Sequence, residues 1–212
     1  MSTRYHARVR VKICGVTDIA GTQAAVAAGA DAIGFVFAPS PRRVDLEPAL
    51  AIAATIPPFV ARVAVFRHPD PAAVLEVAAA LRPDLVQTEV DAALLEALAG
   101  RIRLLPVVHD GPDLERDVTY VLGALGDRTP VLIEAAGPGG RGIAPDPERA
   151  AALALRLPLV LAGGLRPDNV AAAIARIGPY GVDVSSGVES SPGVKDPVRV
   201  AAFVKAVLDC RR

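Results

Sequence analysis

The chain lacks an excess of charge of either sign: 23 Lys and Arg face 23 Asp and Glu across 212 residues, with no run of like charges. A nucleic-acid partner needs a basic face to meet its phosphate backbone, so none is expected, and a small-molecule ligand fits better. Long apolar runs are also missing. Each is broken by Arg, Asp, Pro or Gly well short of the about 18 residues that a membrane span needs, and the opening MSTRYHARVR has no apolar signal region. No membrane partner and a cytoplasmic location follow as expectations. Cysteine is scarce: Cys14 ends an apolar run and Cys210 stands almost at the C-terminus, so a reduced compartment is a simpler assumption than a disulfide. His6, His68 and His109 have neither the spacing of a metal set nor a strong nucleophile partner. No metal is predicted, and His68 and His109 read as solvated loop positions.

What is present is a regular alternation. A content of 52% hydrophobic residues can bury one substantial core, giving a single domain over 1–212 with residues 1–8 as an N-terminal arm. Short Val-, Ile- and Leu-rich runs at 9–14, 32–37, 60–66, 85–87, 103–108, 131–134, 159–162 and 181–184 read as strands. Between them, apolar positions recur at helical spacing, as in Val74/Ala78/Leu81 and Val170/Ile174/Ile177. Asp70-Pro71, Asp146-Pro147 and Asp196-Pro197 mark helix starts, since the carboxylate caps free N–H groups and proline suits the first turn. Strict βα alternation with nearly continuous apolar strands requires a parallel sheet covered by helices. The fold class is α/β, and eight such units predict a single-domain (β/α)8 TIM barrel with a parallel eight-stranded sheet. An open doubly wound sheet is the alternative. Against it, the first βα turn, Gly15-Val16-Thr17, lacks the G-x-G-x-x-G fingerprint, and glycine pairs come late, after the seventh and eighth strands.

In a barrel the C-terminal strand ends line the active site. Gly163 and Gly164, followed by a helix at Pro167, offer unobstructed N–H groups to a phosphate; Ser185, Ser186 and Gly187 do so after the eighth strand. Glycines that merely permit tight turns are the bland alternative. Cys14, at the mouth, is a candidate general base, or else a small buried hydrophobe. Glu134 ends an apolar strand with a carboxyl group suited to general-acid work, or to an ion pair with Arg141. Arg42 and Arg43 sit in a proline-stiffened loop over the mouth, where a guanidinium can grip a carboxylate.

Together these strings resemble phosphoribosylanthranilate isomerases. Val11-Lys12-Ile13-Cys14-Gly15-Val16-Thr17 and Gly181-Val182-Asp183-Val184-Ser185-Ser186-Gly187-Val188-Glu189 carry the most specific likeness. Residues 29–37, Gly139-Gly140-Arg141-Gly142 and 162–170 extend it over nearly the whole chain. The resemblance implies a cofactor-free Amadori rearrangement of N-(5-phosphoribosyl)anthranilate, a phosphorylated small molecule. It makes Cys14 the base, matches Arg43 to the arginine on the anthranilate carboxylate and Asp183 to a substrate-binding aspartate, and gives the late loops the phosphate. The chain departs from the family pattern in three places. Glu134 replaces the family's catalytic aspartate, an offset of about one C–C bond and of a size that can cost about 10²-fold in rate. Gln87-Thr88-Glu89-Val90 replaces Gln-Leu-His-Gly, removing a polar mouth residue and a glycine, while Ile143 and Pro147 replace a lysine and an aromatic. Another sugar-phosphate isomerase or epimerase, or a phosphate-binding barrel without catalysis, are the competing readings. Monomer and homodimer both stay open.

Overall fold

The computed structural model describes residues 8–135 and 143–210. Eight strands, Arg10–Cys14 (β1), Ala32–Val36 (β2), Ala61–Val65 (β3), Leu85–Thr88 (β4), Leu104–Asp110 (β5), Val131–Ala135 (β6), Leu159–Ala162 (β7) and Gly181–Val184 (β8), pair in chain order. Every pairing is parallel, and β8 returns to β1 to close the barrel, which removes the open sheet from consideration. Helices follow the strands in turn: Ile19–Ala28 (α1), Leu46–Ala53 (α2), Pro71–Leu81 (α3), Ala92–Leu98 (α4), Leu114–Leu125 (α5), Pro147–Ala154 (α6), Val170–Ile177 (α7) and Pro197–Leu208 (α8). A small antiparallel ribbon, Glu189–Ser191 (β9) with Val194–Lys195 (β10), separates β8 from α8. No described helix is long and apolar enough to cross a membrane.

All three Asp-Pro pairs open helices as their chemistry predicts. Asp70 accepts from the Ala72 N–H, Asp146 from those of Glu148 and Arg149, and Asp196 from those of Val198 and Arg199. Asp18 and Asp91 cap α1 and α4 in the same way. Each such cap contributes about 1 kcal/mol. Gly29 closes α1 at φ 96° and Gly178 closes α7 at φ 66°, backbone that other residues adopt only under strain.

Period two along the strands divides the core. The larger part lies between barrel and helices, around Ile13, Ile33, Phe35, Ile133, Leu159 and Phe203. Inside the barrel, Leu105, Val107, Leu132, Val160 and Ala162 fill one half, and Cys14, Val36, Val63 and Val65 the other. Inward positions nearer the C-terminal strand ends turn polar, which is where a mouth can form.

Most strands begin or end about one residue from the sequence expectation, and two differences bear on the site. β5 extends to Asp110, so His109 belongs to a strand and not to a solvated loop. α7 begins at Val170, and Pro167 lies in a turn before it, braced by Asn169, which accepts from the Arg166 N–H and donates to the Gly164 carbonyl. Of the expected N-terminal arm, residues 1–7 lie outside the described residues. Arg8 is tied down by Asp31 at 2.6 Å.

Candidate active site

A cavity of about 400 Å³ opens at the C-terminal ends of the strands. Its lining takes in Cys14 from β1, Gln87 from β4, Glu134 from β6, Asp183 from β8, and Gly163, Gly164, Ser185, Ser186 and Gly187 from the two late loops. The predicted thiol, carboxyl group, aspartate and glycine loops therefore share one mouth. Arg141 and the string 139–142 lie outside the described residues.

The loops are fitted to each other by backbone. Gly163 and Gly164 have φ of 92° and 64°. A side chain on Gly163 would meet the Ile143 carbonyl, and one on Gly187 the Leu165 carbonyl, so the glycines serve both turn geometry and close approach. Ser185 Oγ donates to the Cys14 carbonyl at 3.0 Å and stitches the end of β8 to the end of β1.

Beneath the cavity lies a pair that sequence reasoning missed. Lys12 and Asp183 are register partners on neighbouring strands, so their side chains leave the same face of the sheet. Lys12 Nζ donates to Asp183 Oδ1 at 2.8 Å, with the two side chains only 6% and 7% exposed. Burial opposes the ammonium charge, but Asp183 and a Cys14 thiolate outweigh it and raise the Lys12 pKa. Burial pushes the Cys14 thiol up; Lys12 pulls it down and Asp183 pushes it up again. Glu134 is also raised, by burial first and by Asp183 next, against the opposing pull of His109 and Lys12. Its carboxyl is thereby biased toward the neutral form that an acid catalyst needs.

The mouth is not short of a polar residue after β4. Glu89 lines it and binds His109 Nε2 at 3.1 Å. That hydrogen bond raises the His109 pKa; Glu89 is lowered because His109 and backbone donors overcome burial. An ionised Glu89 can only accept, so His109 Nε2 carries the proton. His109 stands opposite Glu134 in the β5–β6 register. Gln87 Oε1 is buried without a hydrogen-bond partner among the described residues, leaving polar capacity on the cavity lining.

The arginine pair divides in an unexpected way. Arg42 lines the cavity, 13% exposed and bidentate to Glu189, with Nε and Nη2 each 2.8 Å from a carboxylate oxygen. Arg43, the one expected at the substrate, is not brought to the cavity: it points outward, 57% exposed, and meets Asp45 at 3.2 Å. Its backbone bridges to Val36, while Arg42 sits in the tight turn that the Arg43 N–H closes onto the Ser40 carbonyl at 3.1 Å.

Comparison with known proteins meets this geometry. A family model described as N-(5'phosphoribosyl)anthranilate (PRA) isomerase matches residues 11–206. The chain belongs to the phosphoribosylanthranilate isomerase family. It is 44% identical over 206 residues to the N-(5'-phosphoribosyl)anthranilate isomerase of Pseudomonas fluorescens, covering 94% of this chain and 95% of that one. Against the Geobacter sulfurreducens isomerase the identity is 43% over 203 residues, covering 93% and 97%. Among solved structures, the Thermotoga maritima isomerase superposes with a TM-score of 0.83 at 38% identity, over 94% of this chain and 98% of that one. A phosphoribosylanthranilate isomerase in complex with reduced 1-(o-carboxyphenylamino)-1-deoxyribulose 5-phosphate gives a TM-score of 0.81 at 38% identity, with 94% and 98% covered. Another related structure is described as monomers generated from a dimeric isomerase of Thermotoga maritima. Glu134 presents its carboxyl at the cavity mouth from the end of β6. Ile143 lines the cavity as an exposed aliphatic side chain.

Proposed function

We propose that the protein converts N-(5-phosphoribosyl)anthranilate into 1-(2-carboxyphenylamino)-1-deoxyribulose 5-phosphate, the Amadori step of tryptophan biosynthesis. The observation that carries this reading is that the Cys14 thiol and the Glu134 carboxyl line one cavity together with the paired glycine loops. The loops at Gly163–Gly164 and Ser185–Gly187 take the phosphate through backbone N–H groups and the Ser186 hydroxyl. Asp183 faces the ribose hydroxyls from the floor.

Neutral Glu134 gives its proton to the ring oxygen as the bond from that oxygen to C1 breaks, and the nitrogen lone pair forms the C1=N iminium. The Cys14 thiolate then takes the C2 proton. The C2–H electron pair becomes the C1=C2 bond, and the C=N π pair returns to nitrogen. The resulting enolamine gains a proton at C1 and loses one from its C2 hydroxyl, giving the ketone. Every proton is accounted for by Cys14, Glu134 and water, so the sequence of steps balances with no cofactor. Arg42 is committed to Glu189, whereas the exposed pair of Arg43 with Asp45 is weak and leaves that side chain able to swing onto the anthranilate carboxylate.

Freshly made N-(5-phosphoribosyl)anthranilate is fluorescent, and its consumption by the purified protein tests the proposal. Loss of fluorescence in proportion to enzyme concentration is expected. A rate no higher than that of the substrate alone would remove the reading.

A further inference from the structure

Among the buried charges that the reaction scheme leaves unused is the Lys12 ammonium. Lys12 reaches the underside of the cavity from β1, and its ion pair with Asp183 is withdrawn from water on both sides. Burying two ions costs several kcal/mol apiece, and a well-packed apolar pair commonly serves stability as well or better. A structural role alone therefore explains poorly why an ammonium group stands there.

Its surroundings suggest another use. Lys12 and Cys14 are two residues apart on one strand, so both point into the barrel. Gly34, the register partner of Cys14 on β2, separates them from the adjoining wall. A Cβ on Gly34 would lie 3.0 Å from Cys14 Sγ and 3.0 Å from Lys12 Nζ, which places those two atoms within about 6 Å of each other across the one position that carries no side chain. The ammonium group has three N–H donors, and Asp183 Oδ1 occupies one of them.

We infer that Lys12, held in place by Asp183, is a positioning residue whose ammonium group stabilises the Cys14 thiolate inside the closed barrel. The use of that thiolate rests on the isomerase reading above; its formation does not. The other charges facing the sulfur are Asp183 from β8, Lys195 from β10 and Arg42 from the loop after β2. Lys195 and Arg42 already share Glu189, at 2.7 and 2.8 Å, and Asp183 opposes the thiolate. Lys12 is the cation that shares a strand and an inward face with the sulfur. The bareness of Gly34 belongs to the same device, because a methyl group there would wedge apart the sulfur and the nitrogen.

The thiolate can be counted without turnover, by the rate at which iodoacetamide alkylates Cys14 as pH is varied, in a Cys210→Ser background and with no substrate present. In the Lys12→Met/Asp183→Asn double variant, which leaves no unpaired buried charge, the alkylation midpoint should rise by about one pH unit, and the rate at pH 8 should fall about tenfold. Circular dichroism confirms that the barrel persists. If the double variant does not fold, Gly34→Ala, with the ion pair intact, should slow alkylation in the same direction. An unchanged rate in the folded variant would overturn the inference. Slowed alkylation in the variant, beside an unsubstituted protein that fails to consume phosphoribosylanthranilate, would instead uphold Lys12 and remove the isomerase reading.

Discussion

Glu134 sets function against stability. Its folded pKa is raised, by burial and then by Asp183, so the native state binds the proton more tightly than the unfolded chain does. The stability this brings is fully present below the unfolded carboxyl pKa and is lost as pH rises through the folded value. At pH 7 the carboxylate is therefore a cost. Replacing Glu134 with Gln should raise Tm at pH 7 by about 2 to 4 °C, with little gain at pH 4, while kcat falls by about 10²-fold to 10⁴-fold. Thermal melts at both pH values check the sign; equal shifts at the two would mean that the carboxyl is not perturbed. Among single residues, Cys14, Glu134 and Asp183 are legible because each interrupts an apolar strand at its C-terminal end. Lys12 is legible by the same logic carried one step back, since an inward Cys14 turns Lys12 inward and a buried ammonium must find a carboxylate. His109 and Glu89 are harder, because neither looks functional until two strands place them 3.1 Å apart.

At the scale of elements, the alternating pattern and the Asp-Pro pairs locate strands and helices well, since capping and apolar periodicity act over a few neighbouring residues. The end of β5 escapes that approach. Asp110 reads as a loop residue, yet it is buried by Arg149, whose Nε donates at 2.5 Å, and by the Asp146 N–H at 2.6 Å, partners from the start of α6. The loop after β2 shows a second limit. Two adjacent arginines carry the same chemistry, and only the fold sends Arg42 inward to Glu189 and Arg43 outward to Asp45. If Arg43 swings in to hold the anthranilate carboxylate, Arg43→Ala should raise KM about tenfold or more and leave kcat within about threefold. Initial rates over a range of substrate concentrations separate the two constants. An unchanged KM would assign that carboxylate to a different group.

For the whole molecule, closure is the property that no local pattern expresses, because eight βα units suit an open sheet as well as a barrel. What joins the ends is a ladder between β1 and β8 with the Lys12–Asp183 pair inside it, bridging 171 positions of chain. That closure also carries the catalytic proposal. It sets the thiol of the first strand, the aspartate of the last and the carboxyl of the sixth around one cavity, with Ser185 fastening the last strand to the carbonyl of Cys14. The most direct test is the turnover of N-(5-phosphoribosyl)anthranilate by Cys14→Ala, measured beside its affinity for a reduced product analogue. The structure predicts that kcat falls by about 10³-fold or more while the analogue's Kd stays within about threefold. A Cys14→Ala protein that turns over at the wild-type rate would contradict the assignment of the thiol as base.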